Sequence, residues 1–127
     1  MDLAFRSEKG APSLNEDACW ASPDRSVFVV CDGLGPNGSG ATASRIALEE
    51  LGQFGERNKI ILNEARQQGT KESRTRVEQA LDVAFQEVSR RIYEDAGKNP
   101  DSHGMCTTVD CLVFLGTHAL VAHVGTG

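Results

Sequence analysis

The run VFVVC at residues 27–31 constrains the fold more than any other stretch of this chain. Five apolar residues stand in a row, three of them valine, with turn-forming residues on either side. A run this short and β-branched, without polar alternation, reads as a buried central strand. It ends in Asp32, and Gly33, Gly35, Gly38 and Gly40 follow closely. The strand therefore leads into a sharply turning loop with an acid at its mouth.

Beyond that loop the apolar period changes from two to between three and four. Ala43, Ile46, Ala47, Leu51 and Phe54 recur at helical steps, which predicts an amphipathic helix with Ser39 or Thr42 as cap and Gly55 as stop. Residues 56–72 are polar apart from Ile60, Ile61 and Leu62, and are expected to be a loop anchor or one short helical turn. A longer helix follows, its face formed by Val77, Ala80, Leu81, Ala84, Phe85, Val88 and Ile92, and Gly97 with Pro100 ends it. Lys71, Arg74, Arg76, Arg90 and Arg91 are expected on its solvated surface.

VDCLVFLG at 109–116 and ALVAHVG at 119–125 form a hairpin across Gly116-Thr117-His118, with His118 as a turn residue and Asp110 at a polar edge position. Residues 3–7 and 18–21 are short extended candidates. Strands, two long helices, then strands again predict one α+β domain over residues 1–127, with antiparallel strands and packed amphipathic helices.

A net charge of −5 argues against nucleic-acid binding through phosphate neutralisation. No stretch approaches the length of an apolar membrane span, and the N-terminus lacks a signal-peptide core, so no membrane partner and a cytoplasmic location are expected. Cys19, Cys31, Cys106 and Cys111 match no common zinc spacing and are expected as free thiols; His103, His118 and His123 stand at no ligand spacing to them.

Three chemistries compete for the glycine loop. Gly33, Gly35 and Gly38 fit the dinucleotide pattern, but Asp32 sets a negative charge beside the pyrophosphate, and Pro36, Ser39 and Gly40 are expected to delay the helix. Gly35 and Gly40 have P-loop spacing, yet Ala41-Thr42 follows where a lysine is required. The third reading is a divalent cation held by oxygen, with acids from Asn15-Glu16-Asp17 meeting Asp32 across neighbouring strands. Against it stands a plain reading, in which Glu16 and Asp17 form a solvated turn and Asp32 is a helix-entry residue.

Taken in order, Asn15-Glu16-Asp17, Cys31-Asp32-Gly33-Leu34-Gly35 with Gly40 and Ala43-Ser44, Gly104-Met105-Cys106-Thr107-Thr108, and Val124-Gly125 resemble the N-terminal half of the metal-dependent protein phosphatase family (type 2C, PPM). The resemblance implies part of an α-β-β-α sandwich, antiparallel sheets between helical layers. It implies a centre of two Mg²⁺ or Mn²⁺ ions that activates water against a phosphorylated serine or threonine of a protein. Asp32 would bridge the ions, the Gly33 carbonyl and Glu16 would bind one of them, and Asp17 would hold metal-bound water. Asp32 and Glu16 would carry the catalysis.

The chain departs from the family at named places. Ala11-Pro12-Ser13-Leu14 stands where members carry a phosphate-gripping arginine, which leaves Arg6 and Lys9 as candidates, and Thr126 stands where members carry an aspartate. The family's later metal-ligating aspartates follow the last hairpin. The expectation is therefore an N-terminal portion of a phosphatase domain, inactive alone and prone to self-association through its last strand. The alternative is a non-catalytic relative that binds a phosphoprotein or signalling partner.

Overall fold

The computed structural model of the chain describes residues 16–126. The extended candidate at residues 3–7, Arg6, Lys9 and Asn15 lie outside them.

The apolar run becomes strand β2 (Val27–Leu34), which continues three residues beyond the run. It continues because Asp32, Gly33 and Leu34 still pair with Thr108, Thr107 and Cys106 of β3 (Cys106–Leu115). On its other side β2 pairs with β1 (Asp17–Ala21), and β3 pairs with β4 (His118–Thr126). The result is one antiparallel sheet in the order β1-β2-β3-β4. The hairpin between β3 and β4 turns at Gly116, which takes a positive φ of 65°. His118 is already the first residue of β4, because a tight turn needs no third residue.

Side chains alternate across this sheet. Val27, Val29 and Cys31 of β2 join Val109, Cys111, Val113 and Leu115 of β3 in the core. Cys31 and Cys111 are free thiols, and burial pushes both up to about 12. The opposite face carries Phe28 edge-on to Phe114, with ring centroids 5.8 Å apart. It also carries Val30, which is 45% exposed. The strand is thus central and buried along its inner face, while on the other face Phe28 alone is buried. Asp110 is not at an edge: β3 is an interior strand, and Asp110 lies opposite His123 of β4 with its Oδ1 2.5 Å from the ring Nδ1.

Four helices cover the inner face. Helix α1 (Ser39–Gly52) begins after a short 3-10 turn over Pro36–Gly38, with left-handed Gly38 as its cap residue and no side-chain cap. Ser39 and Thr42 therefore do not cap it; Ser39 is already helical. Gly55 does not stop it either, since α1 ends at Gly52 and Gly55 lies inside α2 (Phe54–Arg57). Residues expected as a loop form a full helix, α3 (Lys59–Gln68), ended by left-handed Gly69. Only Leu62 and Ala65 of α3 are buried, whereas Ile60 is exposed, so the apolar triplet misrepresents the buried face. Helix α4 (Lys71–Lys98) buries Val77, Leu81, Phe85, Val88 and Ile92, and Thr70 accepts from the Ser73 N–H at its start. No helix among the described residues is long and apolar enough to cross a membrane.

One polar contact fastens the helical layer. The carboxylate of Glu50, in a residue only 8% exposed, accepts from Arg57 of α2 and Arg91 of α4, each at 3.1 Å. Arg91 also donates to Glu49 at 2.8 Å, and this bond, with that from Arg45, holds the Glu49 carboxyl below its ordinary value. Arg91 is therefore a tertiary contact rather than one of a row of solvated charges. Glu50→Ala strands two guanidinium groups that retain some water, and is expected to cost about 2 kcal/mol in urea unfolding. Arg45→Ala removes only an exposed helical pair and is expected to cost less than about 0.5 kcal/mol.

Candidate metal centre

The register of the sheet decides which acids meet. Asp17 stands directly opposite Asp32, and Asp32 opposite Thr108, which itself stands opposite Gly125. These residues form one row across the outer face, at the end of the sheet where β2 runs into the glycine loop. The Asp17 carboxyl is held above its ordinary 3.8, chiefly by a hydrogen bond with Asp32, which the protonated acid can donate. Partial burial and repulsion from Asp32 and Glu16 push it the same way.

Glu16 is fixed by its backbone. Its carbonyl accepts from the Gly33 N–H at 3.2 Å and from Ser44 Oγ of α1 at 2.8 Å. Ser44 Oγ lies 3.4 Å from Thr107 Oγ1, and Thr107 Oγ1 donates to the Thr108 carbonyl at 2.9 Å. One buried hydroxyl thus ties α1 to the residue that leads into β1, with the Thr107 hydroxyl of β3 beside it. Spacing alone gives Ser44 no role, because its partners are 28 and 63 residues away.

Two glycines allow this closeness. A Cβ at Gly40 would overlap the Glu16 Oε2 atom and lie 2.5 Å from the Leu34 nitrogen. A Cβ at Gly33 would overlap the Gly40 carbonyl oxygen and lie 2.5 Å from Ser44 Oγ. The first turn of α1 is pressed against the end of β2, with the Glu16 carboxylate between them.

The same packing bears on the dinucleotide reading. The expected delay before the helix is absent, since α1 starts at Ser39 directly after Gly38. Two other features disfavour it. The strand pairings are all antiparallel, so no parallel β-α-β unit is formed among the described residues. A carboxylate also lies against the first turn of α1, where a pyrophosphate would dock.

The donor set is all oxygen, which suits Mg²⁺ or Mn²⁺. Asp17 and Asp32 fit such an ion, sharing one face and one cross-strand pair. Glu16 is close enough to repel Asp17, yet its carboxylate packs toward Gly40. Among the described residues no cluster of three or more His, Cys, Asp or Glu side chains forms a ready metal cage. Arg6 and Lys9, the candidate phosphate cations, lie outside the described residues. Thr126 closes β4 opposite Thr107.

The family described as Protein phosphatase 2C matches residues 6–127. No curated protein matches the chain. Among solved structures, the Mycobacterium tuberculosis serine/threonine phosphatase PstP/Ppp is 24% identical with a TM-score of 0.73, over 94% of this chain and 44% of that one. The catalytic domain of PstP in complex with 2 manganese ions is 21% identical with a TM-score of 0.68, over 94% of this chain and 45% of that one. A bacterial serine phosphatase carrying an arginine-to-glutamate mutation is 24% identical with a TM-score of 0.76, over 98% of this chain and 53% of that one. These likenesses establish the fold, and the chain spans about half the length of the structures it matches.

The crowding of Asp17 and Asp32 predicts a pH signature in chelator-treated protein. Asp17 titrates above 3.8 when folded, so between 3.8 and its raised value the folded state holds more protons than the unfolded state. Stability is therefore fullest below that window and falls as pH rises through it. In Asp32→Asn the fall is expected to shrink, since only burial and Glu16 still raise Asp17, leaving the variant more stable than wild type at neutral pH and no more stable at pH 3. Urea titrations at the two pH values read this directly. Gly40→Ala, which drives a methyl group into Glu16, is expected to cost about 2 kcal/mol or more in the same assay.

Proposed function

The chain belongs to the protein phosphatase 2C family, and on that premise we propose that it contributes the first carboxylates of a metal-dependent serine/threonine protein phosphatase site. The observation that carries this reading is the pairing of Asp17 with Asp32 at the sheet end, beside Glu16. Two carboxyl groups set opposite each other across a strand pair are poised for a cation, which relieves their repulsion. Asp32, Asp17, Glu16 and the Gly33 carbonyl would hold Mg²⁺ or Mn²⁺. When bound, such an ion acidifies a coordinated water and offsets the charge of a phosphoryl group.

The residues of this chain supply position. Ser44 and Gly33 fix the Glu16 backbone, and β1 and β2 fix the separation of the two aspartates. Substrates on this reading are proteins phosphorylated on serine or threonine. The chain spans about half of the matched structures, which supports assigning it to the N-terminal portion of a phosphatase domain whose further ligands come from elsewhere. The second reading, a non-catalytic relative that binds phosphoproteins, is favoured by two departures from the resemblance: Ala11-Pro12-Ser13-Leu14 stands in place of the expected arginine, and Thr126 in place of the expected aspartate.

The full-length protein is expected to hydrolyse p-nitrophenyl phosphate and a phosphothreonine peptide only with Mn²⁺ or Mg²⁺. Asp32→Asn is expected to lower kcat/KM by at least about a hundredfold, since it removes a ligand shared by the reaction centre. Metal-independent turnover, or full activity in Asp32→Asn, would refute the assignment. Phosphopeptide binding without turnover would select the second reading.

A further inference from the structure

The end of the sheet that carries the acids has little pairing of its own to hold it. Asp17 with Asp32 is the last pair of a short ladder between β1 and β2. Like charges directly opposite each other work against pairing, and ladder ends open most readily. Past this pair, among the described residues, the Gly33 N–H donates to the Glu16 carbonyl at 3.2 Å, the long end of the range. The same carbonyl accepts a shorter bond from Ser44 Oγ at 2.8 Å. Ser44 is 1% exposed and belongs to α1, which packs against both β1 and β2. Its hydroxyl fills the place a side chain at Gly33 would need, 2.5 Å from the Cβ position. Beside it, the buried Thr107 sets Oγ1 3.4 Å from Ser44 Oγ and donates to the Thr108 carbonyl at 2.9 Å. Thr107 is the ladder partner of Gly33, and Thr108 that of Asp32. On the buried face beneath Asp32, two hydroxyls thus bind carbonyls on either side of its strand. Burial in α1 does not by itself bring a partner: the buried Ser39 Oγ has none among the described residues.

We infer that Ser44 is a positioning residue for the metal centre, its hydroxyl holding the β1–β2 ladder end closed so that Asp17 and Asp32 keep one separation. The inference rests on the metal-dependent phosphatase reading above and deepens it. Without the hydroxyl, the Glu16 carbonyl keeps its bond from Gly33, so β1 still pairs. The ladder end then opens under the repulsion of its two acids. Drawing the carboxylates together again costs ordering free energy, which is subtracted from the affinity for a cation. With the cation bound, the carboxylates are already held, and the hydroxyl adds little. The loss therefore falls on metal affinity and spares the rate at saturating metal. Thr107 supports Ser44 only through the longer contact, so its hydroxyl has the smaller share.

The test uses the full-length protein, with Mn²⁺ binding read by isothermal titration calorimetry and stability by urea unfolding. Ser44→Ala is expected to raise the Mn²⁺ Kd about ten- to a hundredfold. The kcat for p-nitrophenyl phosphate at saturating Mn²⁺ is expected to stay within about twofold of wild type. Thr107→Val is expected to raise the Kd by a smaller factor. Two controls in α1 separate positioning from general support. Ser39→Ala removes a buried hydroxyl that bonds to nothing, and Ile46→Val trims the core and lowers the urea midpoint. Both are expected to keep the wild-type Kd. A wild-type Kd in Ser44→Ala, a rise that Ile46→Val reproduces, or a kcat lowered at saturating Mn²⁺ would overturn the inference and leave the phosphatase reading standing. If the wild type binds Mn²⁺ without turnover, the calorimetric Kd decides alone; if it binds none, both readings fall. Should Ser44→Ala not fold, Thr107→Val decides: a raised Kd sustains the inference and an unchanged one overturns it.

Discussion

The architecture of the acidic end depends on one close approach, that of the first turn of α1 to the end of β2. Gly40 and Gly33 face each other with no space for a methyl group on either, and the Glu16 carboxylate fills the remaining gap. Were either glycine replaced, the helix would have to lift from the strand. Ser44 would then lose its reach to the Glu16 carbonyl, and the start of β1 would lose its anchor. The glycines that resemble a phosphate-binding loop are thus explained by packing, with the backbone turn through Asn37 and Gly38, both at positive φ, delivering the chain into α1.

This packing places a cost beside the site. Three acids stand near one another, and the Asp17 carboxyl is raised chiefly by its hydrogen bond with Asp32 and by burial, with repulsion from Asp32 and Glu16 adding to both. The remainder of the molecule is built to tolerate such a cost. A continuous core runs from β2 and β3 into α1, α3 and α4, and Glu50 with Arg57 and Arg91 links three helices at the far side of that core. A stable scaffold with one electrostatically strained rim is the arrangement expected of a cation site.

The pattern of legibility follows from the range of the interactions. β2, β3 and the long α4 were readable because their apolar residues repeat over enough positions to specify a face. α3 was not, because it buries only Leu62 and Ala65 and takes its support from α4 and β3 rather than from its own pattern. The start of α1 was misread because its cap is a left-handed glycine, not a side chain, and a glycine-rich stretch offers several positions for such a turn. Asp110 looked like an edge residue until pairing gave it a strand on each side and His123 as its partner.

By itself the sequence determined the class of the fold and, through its ordered motifs, the resemblance to a phosphatase family, and it singled out Glu16, Asp17 and Asp32 as candidates. Those depend on local periodicity and on residue identity, which are properties of the chain alone. Only the tertiary structure decided that Asp17 faces Asp32 and that Glu16 is wedged against Gly40. The physical reason is register. In a sheet of period two, a slip of one residue would send either aspartate to the opposite face, and no local pattern in so short a strand as β1 fixes that choice.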